Sequence, residues 1–375
     1  MEDDLKRFCF VSGFDNEHDK VIVIVTAFLQ PLLDSGAAGI IEKLYHRTHE
    51  LVSADENYTA VFFAHESNIL PYLSFCVKAY MHMDYYLHKH AKAVYVVHSD
   101  WLSRVAIRTL LSFVSPKFYQ KFRYISSLSH LAKYLPFRQL KLPVVVFEFD
   151  RTVEPRISLE ASVPQDSFRT NTSSFSFSTP IQNWSRPPDA FIDACRVIRK
   201  YLDVQGLFRR SCSKKHLDIL IELYENHCTV DLESFGPFSA CALIKHIFRS
   251  TSIPLFSSEF IENLSKSQDM YLQETNDSLA SLQDYVQENL NENSQRAARF
   301  IFSLLSEVNQ HQDKNLMDSQ NLVICVGPSF LQSNDITSLL VMKEKGSNPY
   351  FRFLQQSIAH WKDLFIVSEN WDVYC

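Results

Sequence analysis

Two structural classes are predicted to share this chain: an α/β domain over the first half, built on a parallel or mixed sheet wrapped by helices, and an all-α domain over the second. Three observations carry the prediction. Short apolar runs alternate with longer helical periods up to about residue 150, a Ser/Thr-rich segment follows, and after Pro187-Pro188 only helical periods remain.

The runs KVIVIVTAFL (20–29), YTAVFFAH (58–65), AKAVYVVH (91–98) and PVVVFEF (143–149) are β-branched or aromatic and read as strands buried on both faces. Helical stretches are expected between them, around 37–52, 69–90 and 101–121. From Thr152 to Pro180 the texture changes, with SVPQDSFRTNTSSFSFSTP dominated by Ser and Thr and carrying Pro near both ends. That composition reads as a linker, and Phe168, Phe175 and Phe177 are expected to dock part of it on a neighbour. Helices are predicted at about 190–204, 214–226, 238–250, 294–309, 316–326 and 348–362. The expected organisation is therefore 1–150, a linker at 151–180, and 181–375, with no internal repeat.

Composition narrows the function. The chain has 375 residues, 46% of them hydrophobic and 21% charged, with a net charge of −6. An acidic surplus argues against a general nucleic-acid binder, which needs positive charge to neutralise phosphates. Only 7 glycines occur, and neither dinucleotide nor P-loop glycine spacing is present. Any nucleotide chemistry must then use a nucleotide held by another protein. The eight cysteines include no C-x-x-C pair, and no Cys/His set has zinc spacing, so no metal site is expected. The start MEDDLKRF is too charged for a signal peptide, no apolar run reaches the ~18 residues of a membrane span, and a terminal Cys375 makes no prenylation box. A cytoplasmic protein is expected, with peripheral contact to membranes.

Three segments carry the candidate chemistry. Gln205-Gly206-Leu207-Phe208-Arg209-Arg210-Ser211 follows an amphipathic helix, and Gly206 suits the left-handed residue at a helix end. Its arginines would ride on a turn before a helix capped by Ser211 or Ser213. Lys245 and Arg249, four apart in FSACALIKHIFRS, share one helix face. Asn321 lies in QDKNLMDSQNLVICVGPSF, in an apolar helix that stops at Gly327-Pro328. Taken singly, each has an ordinary explanation: a surface arginine, a solvated basic edge, a buried amide.

Together these segments resemble the RhoGAP domain. The family's first motif matches Gly206-Leu207-Phe208-Arg209, its second Lys245, Arg249, Pro254 and Leu255, and its third Asn315, Met317, Asn321, Leu322, Gly327 and Pro328. Order and spacing agree over roughly residues 180–365. Two departures stand out: Thr251 and Ser252 replace the usual Leu-Pro, and 259–293 is acidic and aligns poorly until Leu290 and Arg299-Phe300. The resemblance implies a GTPase-activating protein for Rho-family small GTPases. Arg209 would be its arginine finger, neutralising charge on the γ-phosphate; the turn itself does not choose between Arg209 and Arg210. It also implies that Arg249 braces the finger loop, that Lys245 contacts the GTPase switch region, that Asn321 hydrogen-bonds the GTPase, and that Pro328 supports this surface. GTP and Mg²⁺ would belong to the partner, leaving this chain with no cofactor of its own. A GTPase-binding scaffold without activity and a lipid-binding protein are the alternatives.

Residues 20–150 resemble the short, BCH-type form of the CRAL-TRIO fold. Ala93-Val94-Tyr95-Val96-Val97-His98, Phe113-Val114-Ser115-Pro116-Lys117-Phe118 and Lys121-Phe122-Arg123-Tyr124-Ile125 carry the likeness, with Ser99 where relatives often have proline. Between Trp101 and Phe147 there is no Asp or Glu, but Arg104, Arg108, Lys117, Lys121, Arg123, Lys133, Arg138 and Lys141 occur. A one-signed stretch in an acidic chain points to an anionic surface, phospholipid above all, unless countercharges come from elsewhere in the fold.

Overall fold

The computed structural model describes residues 2–34, 39–64, 73–99, 101–111, 115–159, 176–266, 276–331, 348–368 and 371. Packing divides the chain into two units, Met1–Thr170 with Asn226–Asp231, and Asn171–Glu225 with Leu232–Cys375.

The first unit is α/β. Its helices are α1 (Glu2–Phe8), α2 (Leu29–Asp34), α3 (Ile40–Leu51), α4 (Leu73–His82), α5 (Tyr85–His90), α6 (Trp101–Leu111), α7 (Pro116–Tyr119), α8 (Leu128–Leu131) and α9 (Val144–Val153). Five strands, β1 (Cys9–Phe14), β2 (Lys20–Val25), β3 (Tyr58–Phe63), β4 (Ala91–Val97) and β5 (Phe122–Ile125), pair in sequence order. β1 is antiparallel to β2, and the other pairs are parallel. A parallel sheet that always steps the same way keeps its right-handed crossovers on one face. α3 accordingly packs on α4, and α4 on α6. Val21, Val23, Val61, Phe63 and Val97 are fully buried, as continuous apolar runs require.

Three of the four predicted strands are strands, and the fourth is corrected. PVVVFEF opens α9, with Pro143 extended at its N-cap. The buried positions Val146, Phe147 and Asp150 recur with helical spacing, so burial of one helix face overrides the β-preference of three valines. The long helix at 69–90 breaks where Asp84, in extended conformation, caps α5. The one at 101–121 breaks before Pro116, where Ser115 caps α7 through Phe118 N–H.

The second unit is all-α. It runs through α10 (Asp189–Lys200), α11 (Lys214–Glu225), α12 (Leu232–Phe235), α13 (Pro237–Ser250), α14 (Ser258–Lys266), α15 (Asn276–Asn289), α16 (Glu292–Gln310), α17 (Gln312–Asn315), α18 (Ser319–Val326), α19 (Pro349–Ala359) and α20 (Trp361–Leu364). α16 is the central post. Its buried Phe300 and Phe302 meet Phe191 edge-on and Phe365 in a stack, at 5.0 and 5.4 Å between centroids. α14 and α15 fill the acidic stretch that the sequence left unassigned. Of the linker phenylalanines, Phe177 is buried and meets the His246 ring of α13 edge-on, while Ser178 O accepts from Ser252 N–H. Phe168 and Phe175 lie outside the described residues.

Candidate functional site

Between α10 and α11 the chain makes consecutive turns over 201–209. Gly206 is left-handed (φ 79°), but it sits six residues past α10 rather than at its end. Its carbonyl accepts from both Arg209 and Arg210 N–H, at 3.0 and 2.9 Å, and its own N–H donates to Asn315 O at 2.8 Å. Phe208 is left-handed as well (φ 61°), and its ring is buried. A phenylalanine adopts that conformation at a cost of about 1–2 kcal/mol, so something must hold it there. α11 begins at Lys214, and Ser213, whose carbonyl accepts from Leu217 N–H, takes the cap position.

The hold comes from two neighbours. Lys245 on α13 donates from Nζ to Phe208 O at 2.9 Å, and burial lowers the pKa of this half-buried ammonium. Asn315 is fully buried. Its amide donates to Leu202 O and Val308 O at 2.8 and 2.7 Å, and its Oδ1 accepts from Met317 N–H at 2.8 Å. One side chain thus ties the approach to the turn, the end of α16 and the start of the third motif.

The two arginines differ. Arg210 lays its guanidinium over the Phe238 ring, 4.6 Å from the centroid. The Arg209 side chain is exposed and has no hydrogen bond or ion pair among the described residues.

Lys245 and Arg249 differ in their contacts. Lys245 bonds the 206–211 turn, because its ammonium reaches the carbonyl turned toward it by left-handed Phe208. Arg249, one turn further along α13, is exposed and its side chain has no hydrogen bond among the described residues; its charge helps lower the Lys245 and His246 pKa values.

α18 supplies the rest. Asp318 caps it by accepting from Asn321 N–H at 2.7 Å. Asn321, Ile324, Cys325 and Pro328 recur at helical spacing along one side, with Asn321 half-buried and Ile324 47% exposed. Burial raises the Cys325 thiol pKa, and the charges of Lys245 and Arg209 act the other way. Gly327 has an ordinary φ but no room: a Cβ would stand 2.8 Å from Leu354 Cδ1, and Tyr350 donates to Gly327 O at 2.9 Å. Sequence reasoning missed Phe238 and the structural part of Asn315, whose partners lie 113 and 7 residues away.

In the first unit the basic residues separate. Lys121 is half-buried: its Nζ donates to His88 O and Lys89 O at 3.0 and 2.9 Å, capping α5, and burial lowers its pKa. Arg104, Arg108, Lys117, Arg123 and Lys133 are exposed. Arg104 and Arg123 lie over the rings of Tyr124 and Tyr134, at 5.7 and 5.6 Å. Exposed Trp101, Val105 and Tyr119 stand among them. No helix among the described residues is long and apolar enough to cross a membrane.

Known proteins match both units. The RhoGAP domain model matches residues 188–335, and the divergent CRAL/TRIO domain model matches residues 18–152. Rho GTPase-activating protein 68F of Drosophila melanogaster is 26% identical, over 88% of this chain and 72% of that protein. Rho GTPase-activating protein 1 of Homo sapiens is 24% identical over 95% of this chain and 81% of its own, and Rho GTPase-activating protein 8 of Mus musculus 26% identical over 96% and 85%. The chain therefore carries a RhoGAP domain behind a divergent CRAL/TRIO domain, and along most of its length it is similar to Rho GTPase-activating proteins.

Proposed function

We propose that this protein accelerates GTP hydrolysis by a Rho-family GTPase, with Arg209 as the arginine finger. The observation that carries the reading is the unengaged, exposed Arg209 on a turn whose two flanking residues are both tied down. A guanidinium inserted in trans meets charge growing on the γ-phosphate as water attacks, which is worth about 10³–10⁵ in rate. GTP and Mg²⁺ come with the partner. Lys245 positions the finger loop, while Arg249, the Asn321–Ile324 side of α18 and Pro328 just beyond it meet the GTPase. The working division remains 1–150 for recruitment, 151–180 as linker and 181–375 for activation.

Single-turnover GTP hydrolysis by a panel of small GTPases tests this. Acceleration of a Rho-type member, abolished by Arg209→Ala with binding largely kept, is expected, because the finger contributes mainly in the transition state. Binding without acceleration would make the protein a scaffold. Loss from Arg210→Ala with Arg209→Ala harmless would move the finger by one residue.

For the first unit we infer recruitment of a cytoplasmic protein to anionic phospholipid. Trp101 is 73% exposed, and Val105 and Tyr119 are exposed beside Arg104, Arg108 and Lys117. Aromatic and basic side chains together suit the boundary between headgroups and acyl chains, and each cation near an anionic leaflet adds about 1 kcal/mol.

A further inference from the structure

The turn carries two adjacent arginines, both exposed, and only Arg210 has a side-chain contact among the described residues. Arg210 projects back over the turn. Its guanidinium carbon stands 4.6 Å from the centroid of Phe238, a half-buried ring in the first turn of α13. Its aliphatic stem closes on Gly206, where an added Cβ would lie 2.9 Å from Arg210 Cγ. Its N–H shares the Gly206 carbonyl with Arg209 N–H. Stem and main chain therefore both close on Gly206, and the head rests on α13. Resting on the reading of Arg209 as the finger, we propose that Arg210 is a positioning residue, a strut clamped between Gly206 and Phe238 that holds the turn so that Arg209 alone projects.

The physical basis is a cation over an aromatic face, backed by a contact that only glycine permits. Without the strut, residues 206–211 would still be held at Phe208 by Lys245 but could swing at the arginine end. Arg209 would then have to be ordered when the GTPase reaches its transition state. That cost falls on the maximal rate rather than on affinity, because the ground-state complex does not use the finger fully. Phe238 belongs to the strut and is not expected to touch the nucleotide.

The test uses the full chain with Phe238→Leu, which keeps apolar bulk and removes the π-face, Arg210→Met, which keeps the stem and removes the charge, and Phe238→Tyr, which keeps the face. Amide hydrogen exchange across 206–211 is read in each, beside single-turnover GTP hydrolysis at varied protein concentration. Phe238→Leu and Arg210→Met should speed exchange of the Arg209 and Arg210 amides and lower the saturating rate about two- to fivefold. The half-saturating concentration should move by less than about twofold, and Phe238→Tyr should restore both readouts. Unchanged exchange in Phe238→Leu overturns the strut, as does an effect of Arg210→Met confined to the half-saturating concentration, which would make Arg210 a GTPase contact. If the unaltered protein accelerates no GTPase, the activator reading fails, and the exchange measurement still decides the strut.

Discussion

Replacing Asn315 with alanine should cost the helical unit more than its small size suggests. The side chain makes three hydrogen bonds, to Leu202 O, Val308 O and Met317 N–H, with no exposure to water. Each is worth about 0.5–1.5 kcal/mol net, so their loss totals about 2–4 kcal/mol, including partners left without water or protein to pair with. Urea unfolding of the full chain, followed by helix circular dichroism, should show the transition of this unit moved down by on the order of 1 M. Asn315→Asp sharpens the test. A carboxylate would turn an acceptor oxygen toward two carbonyl oxygens that now receive N–H donors, so it should destabilise at least as much as alanine. Since Asn315 O also holds Gly206 N–H, both variants should slow activated GTP hydrolysis. A loss below about 1 kcal/mol in alanine, or an aspartate milder than alanine, would refute Asn315 as the knot of the finger loop.

Lys245→Met should lower the saturating rate of activated hydrolysis, because Phe208 O loses its donor, whereas Asn321→Ala should raise the half-saturating concentration; identical signatures would contradict the separate parts given to them. His246 has its pKa lowered from 6.5, first by burial and then by the Arg249 charge, with Asp218 acting the other way. The folded state thus binds that proton less well than the unfolded state, so its stability, full above about pH 6.5, should fall as the medium is acidified; His246→Gln should flatten that slope in unfolding midpoints taken between about pH 7 and 5. Full-length protein should co-sediment with anionic vesicles in a salt-sensitive way, and Lys117→Glu with Arg123→Glu, or Trp101→Ala, should weaken it; salt-insensitive binding would remove the electrostatic account.

The candidate site's local geometry was legible because it depends on short stretches of chain. Gly206 to Arg209, Lys245 with Arg249, and Asn321 to Pro328 each lie within a turn or two of chain, where spacing decides which side chains share a face. What remained hidden depends on distant partners. The Lys245 ammonium finds Phe208 O 37 residues away, and Asn315 reaches back 113 residues to Leu202, so neither bond leaves a trace in local periodicity. In the first unit, β5 is four residues with an arginine inside it, and β1 shifts register between Val11 and Phe14 around a left-handed Gly13; both edges escaped strand signals that look for longer alternation. Residues 143–149 misled for the opposite reason. Their β-branched composition is a preference worth at most about 1 kcal/mol, and burial of Val146 and Phe147 on a helix face outweighs it.

Why Phe208 should be left-handed at all follows from what stands on either side of it. A right-handed residue there would continue the helical turn, carrying its carbonyl along the chain axis and the next side chain round toward the core. With φ at 61° the carbonyl instead meets Lys245, the ring is buried, and Arg209 is left exposed. The strain of about 1–2 kcal/mol is offset by burying an aromatic side chain, worth about 1.5–3 kcal/mol, and by one charge-assisted hydrogen bond. Glycine at this position would relax the backbone but give up the ring, and with it the force that keeps the turn seated. The turn is therefore built so that the conformation least natural for Phe208 is the one its side chain pulls into place, and the same conformation leaves Arg209 exposed.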